Sequence, residues 1–428
     1  MKTRNSVTAV LLCLAAASGL FAAPEKQLLQ SGVPVVLNAD QSSGIIAVSV
    51  FINAGSAFET EADNGISGLA FSMLTRGTKA RNAEKFAEEA EALGIGLSAS
   101  AGDDYSTISL ICTKKNITQG LELLADALLN PIFPEEELAK VKQVTLARIK
   151  ALEDDSFSFA LKNYRNLLFK GDSYRFDSLG SSQNVSKIAA AQLASYHAEY
   201  FTAGNILISV SGDFNTKTML GDLNSRLKTI RAGSRIVFPS SVYSGLSAEG
   251  KLKTEKNQSV VLVGFICPKV ADRDYAALRV LNSALGGGMS SKLFRDLREK
   301  EGLAYSIGTF YPSRRKASGF TFYAGTRKEN IEKVKQGMLE ASVRSGSAGY
   351  FTREEFENAR NYLIGQYRLD HQRNSKKAWY LGWYETTGTG FEYDLKVIEE
   401  LKAVQPEDLA AAGKKYFVNP VVFVLESN

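Results

Sequence analysis

Two side chains in the second half of the sequence are suited to hold a polarised carbonyl group. Arg298 and Tyr305 lie seven positions apart in the segment LGGGMSSKLFRDLREKEGLAYSIGTF, residues 285–310. A fixed guanidinium and a phenol hydroxyl can donate hydrogen bonds to carbonyl oxygens and can stabilise an oxyanion. Arg298 also lies in a run of charges from Lys292 to Glu301. Taken alone, that run is typical of a solvated helix face with ion pairs four residues apart.

Residue types that bind metals or activate nucleophiles are scarce in this chain. Its two histidines, His197 and His371, are 174 positions apart, so they cannot form a pair on one helix face. Neither histidine lies near a nucleophile-elbow sequence, which argues against serine or cysteine hydrolase chemistry. We expect both to be surface or hydrogen-bonded histidines without a chemical role.

Residues 64–78 read NGISGLAFSMLTRGT. This segment resembles the inverted zinc signature His-x-x-Glu-His of the insulinase/pitrilysin (inverzincin) metallopeptidases. The residues that frame the signature are retained as Gly65, Met73, Gly77 and Thr78. Residues 285–310 closely resemble the family's C-terminal signature, in which an Arg and a Tyr stand seven positions apart, here Arg298 and Tyr305. The resemblance to this family extends over nearly the whole chain after the N-terminal segment.

Each metal-binding position of the signature holds another residue type in this sequence. Gly68 and Ser72 stand at the two histidine positions, and Phe71 stands at the glutamate position. By the family's spacing, Arg148 occupies the place of the third ligand, a glutamate on a later helix. Zinc requires imidazole, thiolate or carboxylate ligands, and the signature requires its carboxylate as general base. The sequence therefore predicts no metal in this chain and no zinc hydrolysis by the part of the chain that carries the altered signature.

Length and composition limit the classes of protein that this chain can represent. A chain of 428 residues exceeds one ordinary hydrophobic core and predicts two or more domains. Its hydrophobic content of 44% and charged content of 23% are typical of a soluble globular protein. The net charge of +5 is small and dispersed, which argues against a nucleic-acid partner.

The N-terminus has the pattern of a secretory signal peptide. Lys2 and Arg4 precede an apolar stretch, Val7–Ala17, and small residues follow up to Ala23. The stretch is too short to span a bilayer, and no later segment approaches about 18 unbroken apolar residues. We therefore predict a signal peptide at residues 1–23 and a periplasmic or secreted protein that makes no membrane contact after cleavage.

Two cysteines follow the signal segment, Cys112 and Cys267, and each ends a run typical of a strand. A chain of this length with two cysteines is not a disulfide scaffold. We expect both to be buried free thiols.

An internal repeat with an offset near 214 residues organises the chain. The strand-like segment Ile46–Phe51 matches Val260–Phe265, and three further matches follow in the same order. One of them, Phe133–Leu138 with Phe351–Phe356, has the acids of a helix start. We predict two homologous domains, residues 24–230 and 250–428, joined by a linker at 231–249. Each is expected to be an α+β layered domain, a mostly antiparallel sheet with helices on one face. We call these domains the first half and the second half.

The family resemblance implies how the two halves would be used. It implies a clamshell of two such chains around a chamber, with Arg298 and Tyr305 contacting a substrate peptide opposite the zinc ion. The glycines Gly286, Gly287 and Gly288 are expected to form a flexible turn with some contact to bound peptide. No Gly-Lys-Ser/Thr follows them, so they do not form a phosphate-binding loop.

Together these features predict a zinc-free subunit of an exported heterodimeric metallopeptidase. Its partner would be a paralogous subunit that bears His-x-x-Glu-His and the zinc ion, and its substrate would be a peptide. Arg298 and Tyr305 would act in trans, by positioning the substrate and stabilising charge. The alternative is an inactive pseudopeptidase that acts as a binding or scaffold protein.

Overall fold

The computed structural model describes residues 23–240, 243 and 245–428. The predicted signal peptide lies outside these residues except for Ala23, and so do residues 241, 242 and 244 of the predicted linker. The strands are β1 Glu25–Leu28, β2 Pro34–Ala39, β3 Ile45–Ile52, β4 Gly96–Ala101, β5 Ser106–Thr113, β6 Ile206–Gly212, β7 Ala248–Thr254, β8 Ser259–Cys267, β9 Ser306–Phe310, β10 Ser318–Thr326 and β11 Val421–Ser427.

The helices lie between groups of these strands, with the longest runs of helices before β6 and before β11. They are α1 Ile66–Met73, α2 Ala83–Ala92, α3 Ile117–Leu129, α4 Glu135–Asp154, α5 Ser156–Leu168, α6 Ser182–Lys187, α7 Ala190–Tyr200, α8 Thr216–Arg226, α9 Tyr275–Gly286, α10 Ile331–Arg344, α11 Arg353–Asp370, α12 Asn374–Thr387, α13 Val397–Ala403 and α14 Pro406–Tyr416. The segment Phe294–Lys300 is π-helical.

The strands form two sheets of the same topology. The first has the order β1-β2-β6-β3-β5-β4, and the second has the order β7-β11-β8-β10-β9. In each sheet one pair is parallel, β2 with β6 and β7 with β11. The other neighbours are antiparallel. Apart from β1, the strands correspond one to one, so the predicted match of Ile46–Phe51 with Val260–Phe265 places both in equivalent strands. The predicted α+β fold class is confirmed.

Helix starts in the two halves also correspond. The first turn of α4 holds Glu135, Glu136 and Glu137, where acids are favoured by the helix dipole. Helix α11 begins with a capping box in which Glu355 N donates to the Thr352 hydroxyl and Thr352 N donates to the Glu355 carboxylate. Both helices therefore start where the repeat predicts.

A helix from each half packs on the sheet of the other half. Alternate residues of a strand face opposite sides of a sheet. In β3, Val50 faces the helices of the first half, whereas Phe51 faces the core that includes α12. In β8, Val263 faces α9 and α10, whereas Leu262 packs against α5. The structure therefore adds an exchanged helix on the second face of each sheet.

Two glycines allow these exchanged helices to approach closely. A Cβ at Gly264 of β8 would lie 1.4 Å from the Tyr164 hydroxyl of α5. A Cβ at Gly382 of α12 would lie 2.2 Å from a ring carbon of Phe51. The Tyr164 hydroxyl forms a hydrogen bond with Thr321 Oγ1 (2.9 Å) across this contact. Larger side chains at either glycine would separate the helix from the sheet.

Both cysteines are buried free thiols, as expected. Cys112 lies in β5 of the first sheet and Cys267 ends β8 of the second. Burial raises the pKa of Cys112 to about 11, so its reactive thiolate form is disfavoured at neutral pH.

Candidate functional site

Helix α1 carries the altered zinc signature, and a buried carboxylate holds its N-terminus. Glu59 is 5% exposed and accepts hydrogen bonds from the backbone N–H groups of Gly65 (2.8 Å) and Ser67 (2.9 Å). The side-chain amide of Asn64 (2.8 Å) and the Ser67 hydroxyl also donate to it. Such bonds satisfy amides that a helix leaves unpaired at its start. Burial is the main reason that the pKa of Glu59 is raised.

Of the three signature positions on α1, two are packing positions and one is exposed. A Cβ at Gly68 would lie 2.6 Å from the carbonyl oxygen of Ser178, so backbone occupies the space that a ligand side chain would need. Phe71 is 1% exposed, and its ring lies 5.3 Å from that of Phe201. Ser72 is exposed and donates a hydrogen bond to Gly68 O (2.7 Å). These residues do not fit a zinc ion.

The fourth position, Arg148, is an exposed residue of α4. A guanidinium has no lone pair to offer a metal and is always charged. Across residues 23–240, 243 and 245–428, no group of three or more histidine, cysteine, aspartate or glutamate side chains is placed to hold a metal ion.

Both histidines are hydrogen-bonded, as expected. His197 is buried and its Nε2 lies 2.9 Å from Leu128 O. Burial lowers its pKa and favours the neutral ring. His371 lies 3.0 Å from the carboxylate of Asp394 through Nε2 and 2.8 Å from Tyr367 O through Nδ1.

Arg298 and Tyr305 both lie on the surface of the second half. Arg298 is exposed in the π-helical segment, and its guanidinium carbon lies 4.5 Å from the centre of the Phe294 ring. Tyr305 directly precedes β9, is 54% exposed, and accepts a hydrogen bond from Arg327 Nε. Within the described residues, no hydrogen bond or ring contact joins Arg298 to Tyr305. The two predicted site residues are accessible but have different neighbours.

The glycines at 286–288 divide into two packing positions and one open position. A Cβ at Gly286 would lie 2.1 Å from Thr309 N, and one at Gly287 would lie 2.7 Å from Ser283 Cα. Gly288 has φ of +143° with open space around its Cβ position. Gly286 therefore lets the end of α9 lie against β9, Gly287 packs against the last turn of α9 itself, and only Gly288 has the open surroundings of the predicted turn. Contact with a bound peptide stays a prediction.

Comparison with known proteins identifies the family. Residues 34–182 match the family described as insulinase (peptidase family M16), and residues 187–363 match the peptidase M16 inactive domain. The chain belongs to the peptidase M16 family. The resemblance inferred from residues 64–78 and 285–310 is confirmed.

Relatives of this M16 chain match it along almost its whole length. The uncharacterized zinc protease YmxG of Bacillus subtilis (strain 168) is 27% identical over 406 residues, 93% of this chain and 97% of the relative. The non-peptidase homolog YmxG of Helicobacter pylori (strain ATCC 700392 / 26695) is 24% identical over 411 residues, 94% of each chain. A crystal structure of a peptidase M16 inactive domain from Pseudomonas fluorescens has a TM-score of 0.87 at 21% identity, covering 95% of this chain and 99% of that one.

The sequence did not reveal an ionic cluster between the halves of this M16 chain. The Asp103 carboxylate lies 3.2 Å from Arg165 Nη2 and 2.7 Å from Arg314 Nη2. Although burial raises the pKa of Asp103, the charges of Arg314 and Arg165 lower it overall. The neighbouring Asp104 accepts a hydrogen bond from Arg315 N (2.8 Å). The acidic pair at 103–104 and the basic run at 314–316 were the available signals.

Glu59 was also missed, although an acid between a strand and the altered signature is visible in the sequence.

None of the described helices combines the length and the apolar character that a membrane span requires.

Proposed function

We propose that this chain is the zinc-free subunit of an exported, heterodimeric M16 metallopeptidase that hydrolyses peptides. One combination carries the proposal. Helix α1 holds Gly68, Phe71 and Ser72 where ligands and base would stand, while Arg298 and Tyr305 lie exposed in the second half. A chain that keeps these two hydrogen-bond donors but has no metal site could complete an active site whose metal is bound by another chain.

In this proposal the zinc ion and its activated water belong to a paralogous subunit that bears His-x-x-Glu-His. The guanidinium of Arg298 and the hydroxyl of Tyr305 would donate to a peptide carbonyl and to the oxyanion that develops from it. Arg327 donates a hydrogen bond to the Tyr305 hydroxyl. The proton of that hydroxyl would therefore point away from the Arg327 guanidinium. The contribution of this chain is then orientation and electrostatic stabilisation.

A second candidate is a binding or scaffold protein without a catalytic role. The separate contacts of Arg298 with Phe294 and of Tyr305 with Arg327 favour it, because they fix two surface side chains without joining them. The similarity to a protein named as a non-peptidase homolog also supports it.

Affinity capture of the tagged full-length chain from its native host distinguishes the two candidates. The heterodimer proposal expects a paralogue bearing His-x-x-Glu-His to co-purify in equal amount, and a chelator-sensitive peptidase activity to co-elute with it. The same tag on an unrelated exported protein is the control. Recovery of the chain alone, or with partners that lack the signature, would favour the scaffold.

A further inference from the structure

A pocket of about 450 Å³ opens between the N-terminus of α1 and helix α7. Its wall combines carboxylates with aromatic rings: Glu59, Asp63 and Glu199 with Phe58, Tyr196 and Tyr200. Among the described residues of this wall there is no lysine, arginine or histidine. The pocket therefore has a negative potential without a cation to balance it.

Two polar groups in this wall lack a well-formed partner within the protein. Tyr196 is 6% exposed, and its buried hydroxyl lies beside Ser67 without a hydrogen bond of ordinary geometry to any described residue. A buried hydroxyl without a partner costs free energy that a bound group can recover. Glu199 is exposed and forms no ion pair or hydrogen bond with any described residue. Glu59 differs, because both of its oxygens already accept bonds from the start of α1.

The aromatic rings add a surface that attracts cations. Tyr196 and Tyr200 are stacked, with ring centres 4.4 Å apart and an interplanar angle of 22°. Phe58 meets Tyr200 edge-on at 6.2 Å. Burial, followed by the negative fields of Glu199, Asp63 and Glu59, raises the pKa of Tyr200 to about 12. Ring faces and nearby carboxylates together select a positive charge.

We infer that this pocket binds the side-chain cation of an arginine or lysine in a peptide. The cation would lie against the Tyr196 and Tyr200 rings, pair with Glu199 and donate to the Tyr196 hydroxyl. A planar guanidinium suits the rings better than an ammonium does, because it can stack on them. The choice of a peptide as the carrier rests on the proposed function, whereas the preference for a cation rests on the pocket wall alone.

A ligand-observed NMR titration of the purified full-length chain tests this inference. The probe is an acetylated, amidated alanine peptide with one central arginine, and its neutral counterpart carries citrulline at the same place. We expect the arginine peptide to bind at least about tenfold more tightly, since cation–π contact and ion pairing act together. Free ethylguanidinium is the third probe, and it should bind more weakly than the arginine peptide.

Variants then assign the binding to the pocket. Glu199→Gln and Tyr196→Phe should each weaken binding of the arginine peptide by about two- to fivefold. The matched control is Glu88→Gln, which removes the same charge from an exposed position of α2 and should leave the affinity unchanged.

Three results would overturn the inference: equal affinity for the arginine and citrulline peptides, equal effects of Glu88→Gln and Glu199→Gln, or equal affinity for ethylguanidinium and the arginine peptide. Because the titration uses the isolated chain, its failure leaves the capture experiment unaffected. Failure of that capture likewise leaves the cation preference standing.

Discussion

The replaced residues of the zinc signature do more than remove ligands. The space beside Gly68 is filled by the Ser178 carbonyl, and Phe71 belongs to the core of the first half. The Ser72 hydroxyl donates a hydrogen bond to Gly68 O within the same helix. A histidine at position 68 or a glutamate at position 71 would therefore have to displace existing packing, whereas position 72 is open to solvent.

At the same scale, Arg298→Ala and Tyr305→Phe should each lower peptide turnover by the heterodimer without changing its assembly or zinc content. Loss of one oxyanion donor typically costs about 10²–10³-fold in rate. We expect a smaller loss here, at least about tenfold, because water can replace a donor at an exposed position. Steady-state kinetics of the reconstituted heterodimer measure the effect.

The matched control is Lys300→Ala in the same π-helical segment. Lys300 is an exposed cation paired with Asp296 at 2.8 Å, and we expect turnover within about twofold of wild type because surface pairs contribute little. Arg295 is unsuitable as a control, since it pairs with Glu355, which caps α11. Full activity in both the Arg298 and Tyr305 variants would contradict the proposal of a shared active site and favour the scaffold protein.

Among the secondary-structure elements, α1 is the one that carries the altered signature. Its N-terminus is held by Glu59 through Gly65 and Ser67, and its length is packed between the first sheet and its neighbouring helices. The helix therefore keeps the place of a metal-binding helix without the chemistry.

Restoring the signature on α1 should not restore zinc binding. We expect the triple variant Gly68→His, Phe71→Glu and Ser72→His to unfold at a lower temperature, because loss of the Phe71 packing alone costs about 3 kcal/mol or more. Ser72→His alone should be tolerated, since position 72 is exposed. Thermal unfolding and elemental analysis provide the readouts. A folded triple variant with stoichiometric zinc would show that the site is intact apart from its ligands.

For the whole molecule, the exchange of α5 and α12 makes the two sheets depend on each other. Helix α12 lies on β3 at Gly382, and the Ser209 hydroxyl of β6 donates to Ala378 O of the same helix (2.6 Å). The Asp103 cluster joins the same two halves through Arg165 and Arg314. We therefore expect both halves to unfold together.

Gly382→Leu tests this coupling. Overpacking at a helix–sheet contact typically costs about 1–3 kcal/mol, and hydrogen exchange should show lost protection in β3 as well as in α11 and α14. The control is Gly365→Ala in α11, where a Cβ has open space. It should leave the midpoint temperature of thermal unfolding unchanged or raise it. Two separate transitions, with one unaffected by Gly382→Leu, would contradict the coupling.

The sequence predicted those parts of the molecule that depend on local patterns. The repeat identified β3 and β8 as equivalent strands, and acids at Glu135 and Glu355 indicated helix starts. The roles of Gly264 and Gly382 were not predictable, because a close approach depends on which distant ring lies opposite each glycine. The capping role of Glu59 escaped prediction for the same reason, since its four donors are arranged only after α1 has packed.

Zinc content tests the central claim most directly, measured by elemental analysis on the purified chain and on its complex with the His-x-x-Glu-His paralogue. We predict that the chain alone contains no zinc and hydrolyses no peptide, because Gly68, Phe71, Ser72 and Arg148 supply neither ligand nor base. The complex should contain about one zinc ion per heterodimer, the number expected for one intact signature. Stoichiometric zinc in the isolated chain, together with chelator-sensitive hydrolysis, would contradict this account.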